Sequence, residues 1–296
     1  KELNLENFDF TQHVDSHNLR IFGKSDVSPE FLDKVAQSYD AMFETNLKID
    51  ESMREDYLST TKDKNVYQRV GLESSFQKNE RYADKGNVPS PYRHNCTDFI
   101  WEEKEGGERQ INEVIEHLLH TVTAVILNLT YKNDWDYNNS SSRLRMAMQE
   151  AIDKGIYDVS SYDDIKGDKK GHNHVTTQEY AYWLVLAEWN YFEVMGLSVN
   201  GSWEGGSNEE WSLLTSQEVE EQLPLAHKLY VESFSKLVQK PDETKVTEWF
   251  STDSSLAEST EDDTTSNTIT LDESVYLREG TFLGNNYTIK MLGDTE

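Results

Sequence analysis

The chain has 296 residues, a formal net charge of −27 at pH 7 and a hydrophobic fraction of 36%. So acidic a surface repels phosphate backbones and anionic lipids, which argues against nucleic-acid binding. It also attracts cations and stays soluble in salt, as expected of a salt-tolerant, marine protein. A single cysteine, Cys96, excludes an intramolecular disulfide. No apolar run reaches roughly 18 residues, so no membrane span is expected.

Sequons recur along the chain, from Asn95-Cys96-Thr97 to Asn286-Tyr287-Thr288. Together with the acidic surface they favour an extracellular or cell-surface location. The chain also contains 7 Trp and 15 Tyr, which argues against wholesale disorder and predicts an aromatic-rich core.

The sequence of residues 1–103 predicts two helices and a few short strands. Ser28 followed by Pro29 is typical of a helix start, and Phe31, Val35 and Tyr39 repeat every four residues. The expected elements are an irregular segment at 1–17, a strand at 18–22, a helix from Pro29, a shorter helix within 50–61, a strand at 65–72, a long loop at 73–99 and a strand within 97–103.

The second part is mainly helical until the composition changes near residue 252. The expected elements are helices at 108–130 and 140–155, a polar loop at 160–174, a buried helix at 176–196, a Gly/Ser/Asn loop at 198–208, one or two helices before Pro241, an acidic linker at 252–267 and a β-hairpin tail at 268–296. The fold class is therefore α+β, a predominantly α-helical domain at 18–251 with a few short strands, followed by a small β appendage.

The helix at 108–130 carries two contrasting faces. Its apolar residues form one stripe when about 100° of rotation is allowed per residue. On the opposite arc lie four residues of types that bind metals: Glu113, Glu116, His117 and His120. Spacings of three and four residues put these side chains one turn apart, as in zinc sites that take two ligands from one helix. The alternative is an arc that faces solvent.

The stretch Glu116-His117-Leu118-Leu119-His120 resembles the active-site helix of zincin metallopeptidases, in which His-Glu-x-x-His binds zinc and activates water. Here the first two residue types are exchanged. The inverted pattern, His-x-x-Glu-His, also nearly fits, with Glu113 where His belongs. Because both motifs depart from the family pattern, an inactive relative is equally consistent with the sequence.

The resemblance extends to a later helix, from which the lethal-factor-like group of zincins draws a glutamate ligand. Glu179 is the matching position and Glu188 the alternative. The resemblance thus implies zinc as cofactor, metal ligands among His117, His120, Glu179 and Glu113, and Glu116 as the catalytic base.

Other interpretations compete for some of these residues. Thr176 and Glu179 have the spacing of a capping box, which by itself would explain the glutamate. His172 and His174, in the polar loop, are a second pair that can chelate or can simply be exposed. A sequence that begins like a calcium loop has Asp134, Asp136 and Asn138 at alternate positions, but it lacks the later residues of an EF-hand. Weak calcium binding there remains an expectation.

Two functions follow from these patterns. The first is an extracellular metal-dependent hydrolase of zincin type, acting on a peptide or protein substrate. The alternative is a non-enzymatic, acidic structural or adhesion protein of an extracellular assembly, whose partner is a further copy of the chain.

Overall fold

The computed structural model describes residues 8–72, 88–96, 98–103, 106–196 and 210–251. Helices dominate this part of the chain, and a small four-stranded sheet lies beside them, which confirms the predicted α+β class. The expected linker at 252–267, the β-hairpin tail at 268–296 and the loop at 198–208 lie outside the described residues, as does most of the loop at 73–99. None of the described helices is long and apolar enough to cross a membrane.

The sheet has the order β1-β2-β3-β4, with β1 and β2 antiparallel and the other neighbours parallel. The strands are β1 (Phe10–Ser16), β2 (Leu19–Lys24), β3 (Tyr67–Gly71) and β4 (Ile100–Trp101). The prediction that 1–17 is irregular is therefore wrong for residues 10–16. His17 and Asn18, at φ 45° and 65°, form the tight turn that pairs β1 with β2, a conformation suited to hairpins.

The helices were mostly predicted in type, and their bounds follow the capping residues. They are α1 (Pro29–Ala41), α2 (Glu51–Asp63), α3 (Gly107–His120), α4 (Lys132–Trp135), α5 (Arg143–Asp153), α6 (Lys169–Trp189), α7 (Ser216–Gln222), α8 (Pro224–Glu232) and α9 (Glu243–Trp249). Short 3₁₀ segments occur at Ser160–Ile165, Glu193–Met195 and Phe234–Lys236.

The helix α3 does not end at His120 but continues as a π-helical segment, Thr121–Leu127, and then as Asn128–Thr130. The continuous helix therefore matches the prediction of 108–130. Its apolar residues are buried against α6 and against the sheet, in one core shared with α1, α5 and α8. Helical segments of the π type are rare and occur often at functional sites.

The start of α6 differs from the prediction of 176. The Asp168 carboxylate accepts a hydrogen bond of 3.0 Å from the Gly171 backbone N–H and so caps a helix that begins at Lys169. His172 and His174 therefore lie in its first two turns and not in a loop. The helix ends at Trp189, where Asn190 adopts a left-handed conformation at φ 52°. From Thr176 onward α6 is buried on nearly every side, as its composition predicts.

Candidate metal centre

Five side chains from three parts of the chain converge between α3 and α6. Glu116, His117 and His120 come from α3, Glu179 comes from α6, and Asp98 lies just before β4. Two sets of three have ligand atoms within 4.8 Å of one another: Asp98 with His117 and His120, and Glu116 with His120 and Glu179. We call these five residues the His120 cluster. Such groups can hold a metal ion, since all their donors are imidazole nitrogens or carboxylate oxygens.

His120 is common to both sets and is completely buried, at 0% exposure. Its Nδ1 lies 3.4 Å from Asp98 Oδ2, and its Nε2 lies 3.6 Å from Glu179 Oε2. Neither ring nitrogen makes a hydrogen bond. Two atoms bound tetrahedrally to one zinc ion lie about 3.4 Å apart, given bonds of about 2.1 Å. The spacing around this imidazole therefore fits shared metal ligands better than direct hydrogen bonds, which are shorter.

His117 is held in an orientation that suits a ligand. Its Nδ1 lies 2.7 Å from the backbone carbonyl oxygen of Glu113, one helical turn earlier, to which it donates. The remaining nitrogen, Nε2, is left to bind a metal. Fixing one nitrogen of a ligating histidine on a carbonyl is the usual means of setting its tautomer.

Glu113 belongs to neither set of three. Its Oε1 accepts a hydrogen bond of 2.9 Å from the Trp101 backbone N–H and lies 3.4 Å from His117 Nδ1. The Glu113 side chain thus links α3 to β4 and contacts His117 on its Nδ1 side. Its predicted role as a ligand has no converging partners among the described residues.

Hydrogen bonds from further residues hold the carboxylates of the His120 cluster. Gln178 Nε2 donates to Asp98 Oδ2 at 2.7 Å, and Asn112 Nδ2 donates to Glu116 Oε2 at 3.1 Å. Asn112 in turn accepts from the hydroxyl of Tyr182, whose ring packs edge-on against His120 at 5.9 Å. An orienting shell of this kind is typical of metal sites.

Three of the four residues of the α3 arc are buried and Glu116 is half-buried, which corrects the interpretation that the arc faces solvent. Glu113, His117 and His120 are at most 9% exposed, because α6 and the segment before β4 cover them. The apolar residues that continue this side of the helix, Ala124 and Leu127, are buried as well. At the edge of the cluster the Asp98 side chain is 19% exposed and that of Glu179 16%.

Burial and charge shift the protonation of the cluster. Burial raises the pKa of Glu116 to about 7, and the nearby Glu179 carboxylate adds to this. Burial opposes a proton on His120, but the carboxylates of Glu179 and Asp98 outweigh it and raise the pKa well above its usual value. His117 behaves in the same way, since Glu113 and Glu116 raise its pKa against the effect of burial. Without a cation the cluster therefore retains protons.

The remaining candidates from the sequence fall elsewhere. Thr176 lies within α6 and its hydroxyl donates to the His172 carbonyl oxygen, so the capping-box explanation of Glu179 is wrong. His174 stacks on the ring of Tyr137 at 4.5 Å. Glu188 accepts from Ser216 at 2.7 Å and pairs with His227 at 2.9 Å.

The suggested calcium loop has no converging set of oxygens among the described residues. Asp134 lies 3.7 Å from Arg143, and the Asp136 carboxylate accepts from the backbone N–H of Asn138 at 2.8 Å. These contacts make a local turn and an ion pair. Calcium binding at this turn stays a prediction.

Asp98 is the residue that reasoning from the sequence missed. It stands between an unpatterned loop and a strand of two residues, and nothing in its neighbours marks it as a ligand. Its place in the cluster depends on the parallel pairing of β3 with β4, which brings this segment over α3. The one available signal was its position beside a strand end, where polar side chains often serve a site.

Comparison of the chain with protein-family models, with curated proteins and with solved structures finds no match.

Proposed function

We propose that the protein is a zinc-dependent hydrolase of metallopeptidase type. The observation that carries the proposal is the buried imidazole of His120, which has two nitrogens without hydrogen bonds, carboxylates facing both, and His117 one turn away. A polar group this deeply buried is costly without a partner, and a bound cation supplies one.

Asp98, His117 and His120 form the better set for zinc. Two imidazoles and one carboxylate are a common ligand set of catalytic zinc, which keeps a fourth position for water. Zinc bound there would lower the pKa of that water and polarise a substrate carbonyl. Gln178 and the Glu113 carbonyl hold two of the three ligands in place.

Glu116 is suited to accept and return a proton. It precedes His117 on the same helix, is oriented by Asn112, and has a pKa raised to about 7 by burial. A group that titrates near the working pH is the most effective general base. Glu179, which the resemblance implied as the third ligand, faces the other nitrogen of His120. The zincin resemblance implies a peptide or protein substrate, and the sequons and acidic surface favour an extracellular one.

The non-enzymatic function has one observation in its favour, the 0% exposure of His120. In that case the same ion would only join α3, α6 and the segment before β4, in an acidic protein of an extracellular assembly. The test below separates the two.

Zinc content and peptide cleavage should be measured on the same preparations, with a panel of fluorogenic peptides as substrate. We expect a stoichiometric zinc ion that is lost in His117→Ala and Asp98→Asn and kept in His227→Ala, a matched histidine outside the cluster. Glu116→Gln should keep the zinc and lose cleavage. Zinc that both variants bind as tightly as the unaltered protein contradicts the proposed site. Zinc binding without cleavage of any peptide favours the structural alternative.

A further inference from the structure

The two sets of three in the His120 cluster cannot be ligands of one ion. They share only His120, and they meet its ring at different nitrogens, with Asp98 at Nδ1 and Glu179 at Nε2. The lone pairs of the two nitrogens of an imidazole point away from each other. An ion bound at Nδ1 is therefore on the other side of the ring from Glu179.

We propose that His120, Glu116 and Glu179 form a second cation site, which takes a divalent ion such as zinc and inhibits the enzyme when it is filled. The inference rests on the proposed function, in which the first ion is bound by Asp98, His117 and His120. It assigns the second set of three to regulation of that same centre.

The charge balance around this second set calls for a cation. Glu116 and Glu179 have carboxylate oxygens within 4.8 Å of each other and of His120. Among the described residues, no lysine or arginine pairs with either carboxylate, and the one ion-pair contact of Glu179 is His120 itself. Two carboxylates at this separation repel each other strongly where water is scarce. A divalent ion neutralises both.

The donor sets predict the order of filling. The first set offers two imidazoles and one carboxylate, which suits zinc, whereas the second offers one imidazole and two carboxylates. Zinc should therefore enter the first set at lower concentration. When cations occupy both nitrogens, the ring of His120 carries no N–H proton, so filling the second site releases that proton to the buffer.

Inhibition follows from the double use of Glu116. As a free carboxylate it accepts a proton from the attacking water. As a ligand of a second cation it is a much weaker base, because the positive charge beside it disfavours protonation of its oxygens. The net charge of −27 raises the local concentration of divalent cations and so favours filling of the second site.

The test is a titration of the full-length, metal-free protein with zinc chloride, read by calorimetry and by equilibrium dialysis. We expect two equivalents in the unaltered protein and one in Glu179→Gln. Glu55→Gln, which removes an exposed carboxylate on α2, should still bind two. Circular dichroism would confirm that each variant is folded.

Peptide cleavage gives a second readout. In the unaltered protein it should rise to a maximum at one equivalent of zinc and fall in excess. In Glu179→Gln the fall should be absent, relative to that variant's own maximum.

A single equivalent in the unaltered protein, or two in Glu179→Gln, overturns the inference. If that single equivalent still depends on Asp98 and supports cleavage, the proposed function stands. If the protein binds no zinc, both the second cation site and the proposed function are contradicted.

Discussion

At the scale of residues, the central feature of the His120 cluster is the free-energy cost of burying the His120 imidazole. A fully buried imidazole whose two nitrogens face carboxylates but make no hydrogen bond destabilises a fold unless a bound cation or a proton completes the contacts. The carboxylates of Asp98 and Glu116 lie close to this ring and are held there by hydrogen bonds from Gln178 and Asn112. We infer that the fold tolerates this arrangement because a cation, or in its absence a set of protons, compensates it.

The metal-free protein should lose stability as the pH rises. The pKa of Glu116 is raised from 4.5 to about 7 in the folded state, and those of His117 and His120 are also raised. Between pH 4.5 and about 7 the folded chain therefore binds more protons at Glu116 than the unfolded chain, so its free energy of unfolding decreases through this interval. Urea unfolding in the presence of a chelator, followed by tryptophan fluorescence, measures it.

Zinc should reverse this trend, because ligands must lose their protons before they bind a metal. In saturating zinc the free energy of unfolding should rise over the same interval. Glu116→Gln should flatten the metal-free curve, since it removes the carboxyl that titrates there. A metal-free protein that becomes more stable from pH 5 to 7 would contradict the pKa directions of the cluster.

The sequence predicted which residue types form the site, but it did not predict that Asp98 belongs to the His120 cluster. The α3 arc with Glu116, His117 and His120 follows from helical spacing alone. Whether that arc is exposed or buried depends on how α6 packs against it. Asp98 reaches the cluster only through the pairing of β3 with β4. Both features depend on contacts between distant segments and are not encoded in the local sequence.

At the scale of elements, the first turns of α6 matter most. The Asp168 cap starts this helix seven residues earlier than position 176, and so converts His172 and His174 into helical residues. Thr176 gives the stronger local signal for a helix start, because threonine followed by glutamate three residues later is typical of a capping box. The helix nevertheless starts after Asp168, because a helix that begins at Lys169 continues directly into the buried, apolar part of α6.

Asp168→Ala should lower the free energy of unfolding by about 1 kcal/mol, the usual effect of losing an N-cap side chain. The lost contact is the hydrogen bond from the Gly171 N–H, at 3.0 Å. Urea unfolding measures it. Asp164→Ala, an exposed carboxylate in the preceding turn, is the control and should change stability by less than about 0.5 kcal/mol. Equal effects of the two substitutions would show that Asp168 does not cap α6.

At the scale of the whole molecule, the excess of acidic residues sets the response to salt. The chain has 55 Asp and Glu against 28 Lys and Arg. Much of this charge is on exposed helix surfaces, where like charges repel across distances that salt screens.

The thermal unfolding midpoint should therefore rise as sodium chloride is increased from about 0.02 M to about 0.5 M. Differential scanning fluorimetry in a chelating buffer measures this without a contribution from divalent ions. Potassium chloride is the control, and an equal rise in both salts identifies screening as the cause. A midpoint that is constant or falls with salt would contradict it.

The sequence by itself determined the helical α+β class, the continuous helix predicted at 108–130, the burial of α6 and the acidic surface. These are properties of periodicity, composition and charge, which act over a few residues or over the whole chain. Only the tertiary structure decided that β1 pairs with β2, that Asp98 meets His117 and His120, and that Glu113 binds the backbone of Trp101. These contacts join segments distant in the chain, and they depend on how the sheet and α6 pack on α3, which no local pattern encodes.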